Sequence, residues 1–332
     1  MRIVLMATGP FALPTMRWLI DAPHELVCWV TRPPRPAGRR RTIPTSPLRE
    51  LAQTRQVPIW EPEDINTPES VAHLRNLGAD LLVVCDYGQI LAAEVLEAAR
   101  LGGINLHGSL LPKYRGAAPV QWAIYHGETE TGVSVIHMTP RLDAGPILQQ
   151  RRTAIGPGED AQTLEARLAE LGVGAVEAAI GQLAAWDGHS PIGTPQDATL
   201  ATRAPRLRKE HGRIDFRRSA DEIERQVRAM RPWPGTYTTW ARPGKKTMML
   251  RIERVSVVPH AAETSDVGGG GPGTICAASG DRLWVRTGEG VLAIEQLCPA
   301  GKRSQGAAEF LRGYRVAPGD RWGDDAPNPS DG

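Results

Sequence analysis

The sequence predicts an N-terminal α/β domain on a mostly parallel sheet, followed by a smaller all-β domain. Three observations predict it. Apolar runs alternate with helical patterns up to about residue 185, the periodicity breaks in a Pro-, Gly-, Thr- and Ala-rich stretch over 187–206, and short strand-like runs recur from Gly212 onward. Strands alternating with helices imply a parallel sheet covered on both faces. Many short strands separated by turn signals imply a small barrel or sandwich. The length of 332 residues agrees with about two domains at roughly 150 residues each.

In order along the chain, Ile3–Met6 reads as a first strand rather than a secretion signal, because Thr8, Gly9 and Pro10 end its apolar run. Leu13–Ile20 has helical spacing, and Leu26–Val30 is a second strand. Leu81–Cys85 is apolar throughout, as a strand buried on both faces should be. A helix is expected over Ile90–Leu101, strands over Gly103–Leu106 and Val133–His137, and a long amphipathic helix over Thr163–Ala185. In the second half, a helix over Ala220–Met230 precedes strands at Met248–Ile252, Thr274–Ala277, Leu283–Thr287 and Val291–Leu297. Gly268–Gly271, inside Pro259–Gly273, reads as an inserted flexible loop, and the polar chain after Pro318 as a frayed tail. The expected boundaries are 1–186 for the first domain, 187–206 for a linker, 207–316 for the second domain and 317–332 for a flexible tail.

Composition narrows the function. With 41% hydrophobic and 23% charged residues the chain is globular, and no run approaches the roughly 18 apolar residues of a membrane span. Four cysteines (Cys28, Cys85, Cys276 and Cys298) stand far apart without a Cys-x-x-Cys, which suits reduced thiols in the cytoplasm and gives no metal or disulfide framework. Net charge is only +2, but it is unevenly placed. Residues 1–202 carry 17 basic and 21 acidic side chains, whereas residues 203–332 carry 22 and 16. A basic half suits a polyanionic partner, although a solvated surface accounts for the same charge equally well. Two basic clusters stand out. Arg32, Arg35, Arg39, Arg40, Arg41 and Arg49 lie where no carboxylate occurs, and Arg203, Arg206, Arg208, Lys209 and Arg213 are opposed only by Glu210. Both contain proline or glycine, so they read as loops able to follow a phosphate backbone.

The stretch richest in chemistry is GGINLHGSLLPKYRGAAP, residues 102–119. It begins as a strand, and Pro119 suits the first turn of a following helix. Residues two apart in a strand face the same way, so Asn105 and His107 project together at the strand end. An amide donor beside an imidazole can cradle a developing oxyanion, but an Asn-x-His alone is more often a satisfied structural histidine. The strand Val133–His137 leads to Arg141-Leu142-Asp143-Ala144-Gly145-Pro146, which brings a carboxylate to the end of a neighbouring element. There Asp143 can fix the His107 tautomer or simply cap the turn before Gly145. Lys113 and Arg115 either support the loop or contact phosphate.

Taken together, these residues resemble the folate-dependent formyltransferase family. The most specific motif is Asn105-Leu106-His107-Gly108-Ser109-Leu110-Leu111-Pro112, continued by Arg115-Gly116-Ala117-Ala118-Pro119. Supporting pieces are Arg35-Pro36-Ala37-Gly38-Arg39, Tyr87-Gly88-Gln89-Ile90-Leu91, Glu130-Thr131-Gly132-Val133 and Leu142-Asp143-Ala144-Gly145-Pro146. In the second half they are Arg213-Ile214-Asp215-Phe216, Arg231-Pro232-Trp233-Pro234-Gly235 and Pro299-Ala300-Gly301-Lys302. The resemblance runs from about Arg2 to Tyr314. It implies a Rossmann-like first domain and an OB-like β-barrel as the second.

It also implies transfer of a formyl group from 10-formyltetrahydrofolate to the α-amine of methionine on initiator tRNA, by a monomer, with no metal and no covalent intermediate. The family's catalytic Asn, His and Asp fall on Asn105, His107 and Asp143. Asn105 would donate to the oxyanion, His107 would polarise the formyl oxygen or shuttle a proton, and Asp143 would hold His107 and accept the amine's proton. The family's tetrahydrofolate-binding segment falls on Ser109, Leu110, Leu111 and Pro112. Arg39, Arg40, Arg41, Arg206, Arg208 and Lys209 are the expected tRNA contacts. Two stretches depart from the family. Its first loop usually reads Gly-Thr-Pro-Asp-Phe-Ala, against Ala7-Thr8-Gly9-Pro10-Phe11-Ala12 here, and Asp86 stands where a small apolar residue is common. Arg206 replaces a usual lysine and keeps the charge. Rival readings are a formyltransferase for a sugar nucleotide, a non-catalytic RNA-binding protein and a nicotinamide dehydrogenase. The first loop lacks Gly-x-Gly-x-x-Gly, so a dinucleotide has no cradle there.

Overall fold

The computed structural model describes residues 1–34, 46–241, 246–260 and 270–323. The chain divides into two compact units. One comprises Met1–Val120, Glu130–Ile155 and Thr163–Arg206; the other comprises Gln121–Thr129, Gly156–Gln162 and Leu207–Gly332.

The first unit begins with β1 (Arg2–Ala7), α1 (Leu13–Asp21), β2 (Glu25–Val30), α2 (Pro47–Thr54), β3 (Ile59–Trp60), α3 (Pro68–Asn76) and β4 (Leu81–Cys85). It continues through α4 (Ala93–Leu96), β5 (Gly103–His107), β6 (Arg115–Gly116) and α5 (Pro119–Tyr125), most of which counts with the second unit. It ends with β7 (Glu130–His137), β8 (Ile147–Ala154), α6 (Ala161–Ala184) and β9 (Arg203–Ala204). Seven of these strands form one sheet in the order β3-β2-β1-β4-β5-β7-β8. The first five are parallel, and β7 and β8 join antiparallel. β4 is buried at every position, as its unbroken apolar run requires.

The strand order reverses between β1 and β4. Ligands of such sheets bind at that reversal, beyond the carboxyl ends of the strands. Val4, Met6, Val30, Leu82 and Val84 form one face of the core with Ile65, Leu74, Tyr87 and Val95.

The expected helix over Ile90–Leu101 shrinks to α4, a single turn followed by turns to Leu101. The stretch expected as a linker, 187–206, lies along the first unit: Arg203 and Ala204 pair in parallel with Arg115 and Gly116, and Thr194 bridges Ile147.

The second unit contains α7 (Ala220–Ala229), β10 (Thr236–Trp240), β11 (Met248–Val257), β12 (Ile275–Ser279), β13 (Arg282–Arg286), β14 (Val291–Pro299), β15 (Gln305–Gly306) and α8 (Ala307–Gly313). The local signal for α7 is a capping box. The Ser219 hydroxyl accepts from the Glu222 amide, and the Glu222 carboxylate accepts from the Ser219 amide. The strands pair antiparallel in the order β10-β11-β14-β13-β12, with β15 on β14. Arg321 bridges Thr274, next to β12, and Trp322 bridges Trp240 in β10. One short segment therefore ties the two edge strands together, as closure into a barrel requires. Trp322 is buried with Trp240, Phe310, Ile252 and Leu292, so residues 317–323 belong to this domain and the expected tail starts later. The remainder of that tail, 324–332, and residues 261–269 of the expected flexible loop lie outside the described residues.

Candidate active site

β5 carries two side chains of the site on one edge. Its register sets Asn105 beside Val84 of β4 and Ile136 of β7, and His107 beside Ser134 of β7. Both therefore lie at the carboxyl end of the sheet, where chemistry is expected. Asp143 comes from the loop after β7, and its φ of +48° is the left-handed region that Asp tolerates better than most residues.

These three side chains converge. Asn105 Nδ2 donates to Asp143 Oδ1 at 3.3 Å, and the Gly116 amide donates to Asp143 Oδ2 at 2.9 Å. His107 Nδ1 stands 3.8 Å from Asp143 Oδ2, beyond hydrogen-bond reach. What holds the imidazole is the Tyr114 carbonyl, 2.9 Å from Nε2. A carbonyl oxygen only accepts, so Nε2 carries a hydrogen and Nδ1 is the edge facing Asp143. Backbone fixes the ring, and the Asp143 carboxylate stands within ion-pair range of Nδ1 rather than hydrogen-bonded to it. Both side chains are nearly buried, at 6% and 9% exposure, so their electrostatic interaction is weakly screened.

The Ser109–Pro112 segment turns beside this cluster and is braced from the sheet. The Ser134 hydroxyl donates to the Ser109 carbonyl at 2.7 Å and accepts from the Leu111 amide at 3.0 Å. Gln150 donates to the Leu111 carbonyl at 2.9 Å. The Ser109 hydroxyl itself donates to the Lys113 carbonyl at 2.7 Å and is fully buried. Its side chain is thus spent on shaping the turn.

A second acidic group occupies the reversal point between β1 and β4. Asp86 also has a left-handed backbone, at φ +50°. Its carbonyl accepts from the amides of Thr8 at 3.0 Å and Gly9 at 3.2 Å. Its carboxyl fills the space beside Gly9, where an added Cβ would fall 1.6 Å from Oδ2. The two departures from the family pattern therefore touch, and glycine at position 9 is what makes room for aspartate at 86. Solvent reaches Asp86, yet protein encloses its carboxyl closely enough for desolvation, aided by the charge of Glu165, to push its pKa up to about 6.

Beyond β1 and β2 lies a cavity of about 380 Å³ lined by Thr8, Trp29, Thr31, Arg32, Arg49 and Arg206 among others. Arg206 is thereby located at the sheet's carboxyl edge. Arg208 and Lys209 lie in the second unit, at the start of a short 3-10 turn. Arg39, Arg40 and Arg41 lie outside the described residues. Burial pushes the Cys28 thiol up to about 11, against a smaller opposing hydrogen bond from the Trp60 backbone, and raises Cys85 as well. Neither is a thiolate nucleophile at neutral pH.

Sequence reasoning missed several supporting residues. Ser134 and Gln150 brace the 109–112 turn, and Gln196 donates to the carbonyls of Asp143 and Gly145 at 2.9 and 2.7 Å. A polar residue inside an otherwise apolar strand was the one signal for Ser134. Gln196 sits in a stretch without periodicity and gave none.

The chain is similar to known proteins along nearly its whole length. The Formyl transferase family model matches residues 1–180, and the Formyl transferase, C-terminal domain model matches 206–315. Methionyl-tRNA formyltransferase of Rhodopirellula baltica is 45% identical over 327 residues, covering 96% of each chain. That of Geobacter sulfurreducens is 40% identical, covering 98% of this chain and 97% of its own. That of Myxococcus xanthus is 41% identical over 96% of each. Among solved structures, the fold is similar to WlaRD, a sugar 3N-formyl transferase, with TM-score 0.61 at 15% identity, over 91% of this chain and 99% of that one. It is also similar to HypX of Aquifex aeolicus in complex with tetrahydrofolic acid, with TM-score 0.58 at 18% identity, over 94% of this chain and 47% of that one. From end-to-end identity at this level, with both family models matched in order, the chain belongs to the methionyl-tRNA formyltransferase family.

Proposed function

We propose that this chain transfers the formyl group of 10-formyltetrahydrofolate to the α-amino group of methionine on initiator tRNA, giving N-formylmethionyl-tRNA for translation initiation. The observation that carries the reading is the meeting of Asn105 and His107, at the carboxyl end of β5, with Asp143 from the loop after β7. It joins 45% identity to a relative named for this activity.

In this reading the α-ammonium gives a proton to the Asp143 carboxylate. Free α-amino groups titrate near 7.7–8, so at neutral pH a fraction of the amine is already deprotonated and positioning matters more. The amine lone pair adds to the formyl carbon, and the carbonyl π pair moves onto oxygen. The second N–H of Asn105 meets that oxyanion; its first is taken by Asp143. His107, oriented by the Tyr114 carbonyl, accepts the second proton of the attacking nitrogen at Nδ1. Collapse re-forms the C=O bond and breaks the bond to N10 of the folate, which takes that proton from His107, and Asp143 gives its own proton to solvent. Orientation of amine against formyl carbon can supply up to about 7–11 kcal/mol, and one oxyanion donor about 10²–10³ in rate.

The donor folate is a substrate here, and the residues fit it. Leu110 and Pro112 offer partly exposed apolar surface to a pterin, while buried Leu111 and Ser109 hold the turn in shape. Arg206, Arg208, Lys209, Arg39, Arg40 and Arg41 would meet the tRNA backbone, with the 207–316 domain as its main platform; the basic excess of residues 203–332 supports this. Four separate cysteines support a cytoplasmic setting.

Incubation with 10-formyltetrahydrofolate and charged tRNA tests donor, acceptor and selectivity together. Formylation of initiator but not elongator methionyl-tRNA is expected. Formylation of a small amino sugar in preference to either tRNA would contradict the assignment.

A further inference from the structure

We infer that Gln196 is a positioning residue for formyl transfer, a side-chain clasp that holds Asp143 in its working geometry. This rests on the proposed catalytic role of Asp143.

The Gln196 amide is used to capacity. Nε2 donates to the carbonyls of Asp143 at 2.9 Å and Gly145 at 2.7 Å. Oε1 accepts from Arg115 Nε at 3.2 Å and Nη2 at 2.6 Å. Carbonyls only accept and a guanidinium only donates, so one orientation of the amide satisfies all four. Neither Glu nor Leu can reproduce it.

Both things held by this clasp belong to the Asp143 cluster. On one side is the turn containing Asp143, whose left-handed φ of +48° is a less common conformation that its surroundings help to fix. On the other is Arg115, whose neighbour Gly116 donates its amide to the Asp143 carboxylate at 2.9 Å. Gln196 thus closes a ring that runs from the Asp143 backbone through Arg115 to the Asp143 side chain.

The segment bearing Gln196 is itself pinned on both flanks. Thr194 exchanges two backbone hydrogen bonds with Ile147, each 2.8 Å. The Thr202 hydroxyl accepts from the Tyr114 amide at 2.8 Å, and its carbonyl accepts from the Arg115 amide at 2.9 Å. Beyond it, the Ala204 carbonyl lies where a Cβ on Gly116 would come within 2.4 Å, so that residue 116 is pressed closely by the strap. The strap therefore sets Tyr114, whose carbonyl orients His107, as well as Arg115 and Gly116. A shift of about 1 Å in a catalytic group can cost about 10² in rate.

The test compares Gln196→Leu and Gln196→Glu with wild type and with Asp143→Asn. Each Gln196 variant should lower kcat about 10- to 100-fold, the usual cost of losing an outer partner of a working group. KM for folate and for tRNA should stay within about threefold, on the basis that only the reacting geometry has moved. In the Asp143→Asn background, Gln196→Leu should cost less than threefold more, because the group it acts through is already disabled. The Gly116 amide proton, bonded to the carboxylate, should move upfield in Gln196→Leu, a readout that needs no turnover. If folded Gln196→Leu and Gln196→Glu both keep kcat within twofold, if their cost is equal in both backgrounds, or if the Gly116 resonance stays put, the inference is wrong. If wild type transfers no formyl group to any amine, it is the functional reading that fails, and the Gly116 resonance alone then decides the clasp.

Discussion

Asp143 and Asp86 are near twins in backbone and opposites in surroundings. Both stand at the carboxyl edge of the same sheet with φ near +50°. The Asp143 carboxylate receives N–H donors from Asn105 and Gly116. Among the described residues no N–H donates to the carboxylate of Asp86; only its carbonyl is used, by Thr8 and Gly9. Desolvation then dominates at Asp86, and its pKa rises to about 6. Donors hold the Asp143 carboxylate in a fixed frame, whereas the Asp86 carboxyl is left to desolvation.

The comparison can be broken most sharply by activity. Asp143→Asn is expected to lower kcat by about 10² or more, as for loss of a positioned acid or base, while Asp86→Asn stays within about threefold. Equal losses would erase the distinction. Next in size is stability at the Gly9 contact. Gly9 has an extended backbone that alanine can adopt, so Gly9→Ala costs only its collision with the Asp86 carboxyl, about 1–3 kcal/mol by analogy with overpacking. Asp86→Ala should relieve most of that penalty in the double variant; additive costs measured by denaturant unfolding would refute the pairing.

The smallest effect concerns pH. The folded-state pKa of Asp86 is raised above its ordinary value of 3.8 to about 6. The protonated form is therefore the one the fold prefers, and stability from this group is lost as pH rises from about 4 through about 6. Asp86→Asn should stabilise the protein at pH 7.5 and lose that advantage below about pH 4. Because solvent reaches the residue, the gain is expected to be about 1 kcal/mol, well short of the full shift. A gain that instead grows toward acid pH would reverse the assigned sign.

The sequence made much of this legible, for a physical reason. β1, β4 and β5 are apolar runs buried in the sheet interior, and burial is what hydropathy records. β8 escaped because it is an edge strand whose Gln149, Gln150, Arg151 and Arg152 carry no apolar alternation. Helical spacing over Ile90–Leu101 overstated α4, since the apolar residues there pack against the sheet from turns rather than from one helix. In the site, Asn105, His107 and Asp143 were legible as side chains. Their restraints were not, because the Tyr114 carbonyl and the Gly116 amide are backbone groups that any residue type supplies. Gln196 was invisible likewise, as two of its partners are carbonyls in another segment. The contact of Gly9 with Asp86 was visible only as two separate departures, 77 positions apart in the numbering.

The most direct measurement is single-turnover formyl transfer to initiator methionyl-tRNA by Asn105→Ala, His107→Ala, Asp143→Ala and the triple variant, each with folate binding checked. Groups that act together on one carbonyl carbon should each cost about 10² or more when removed, and the triple variant should lose little beyond the worst single one. Single variants within a few-fold of wild type, or losses that simply multiply in the triple variant, would contradict a shared site.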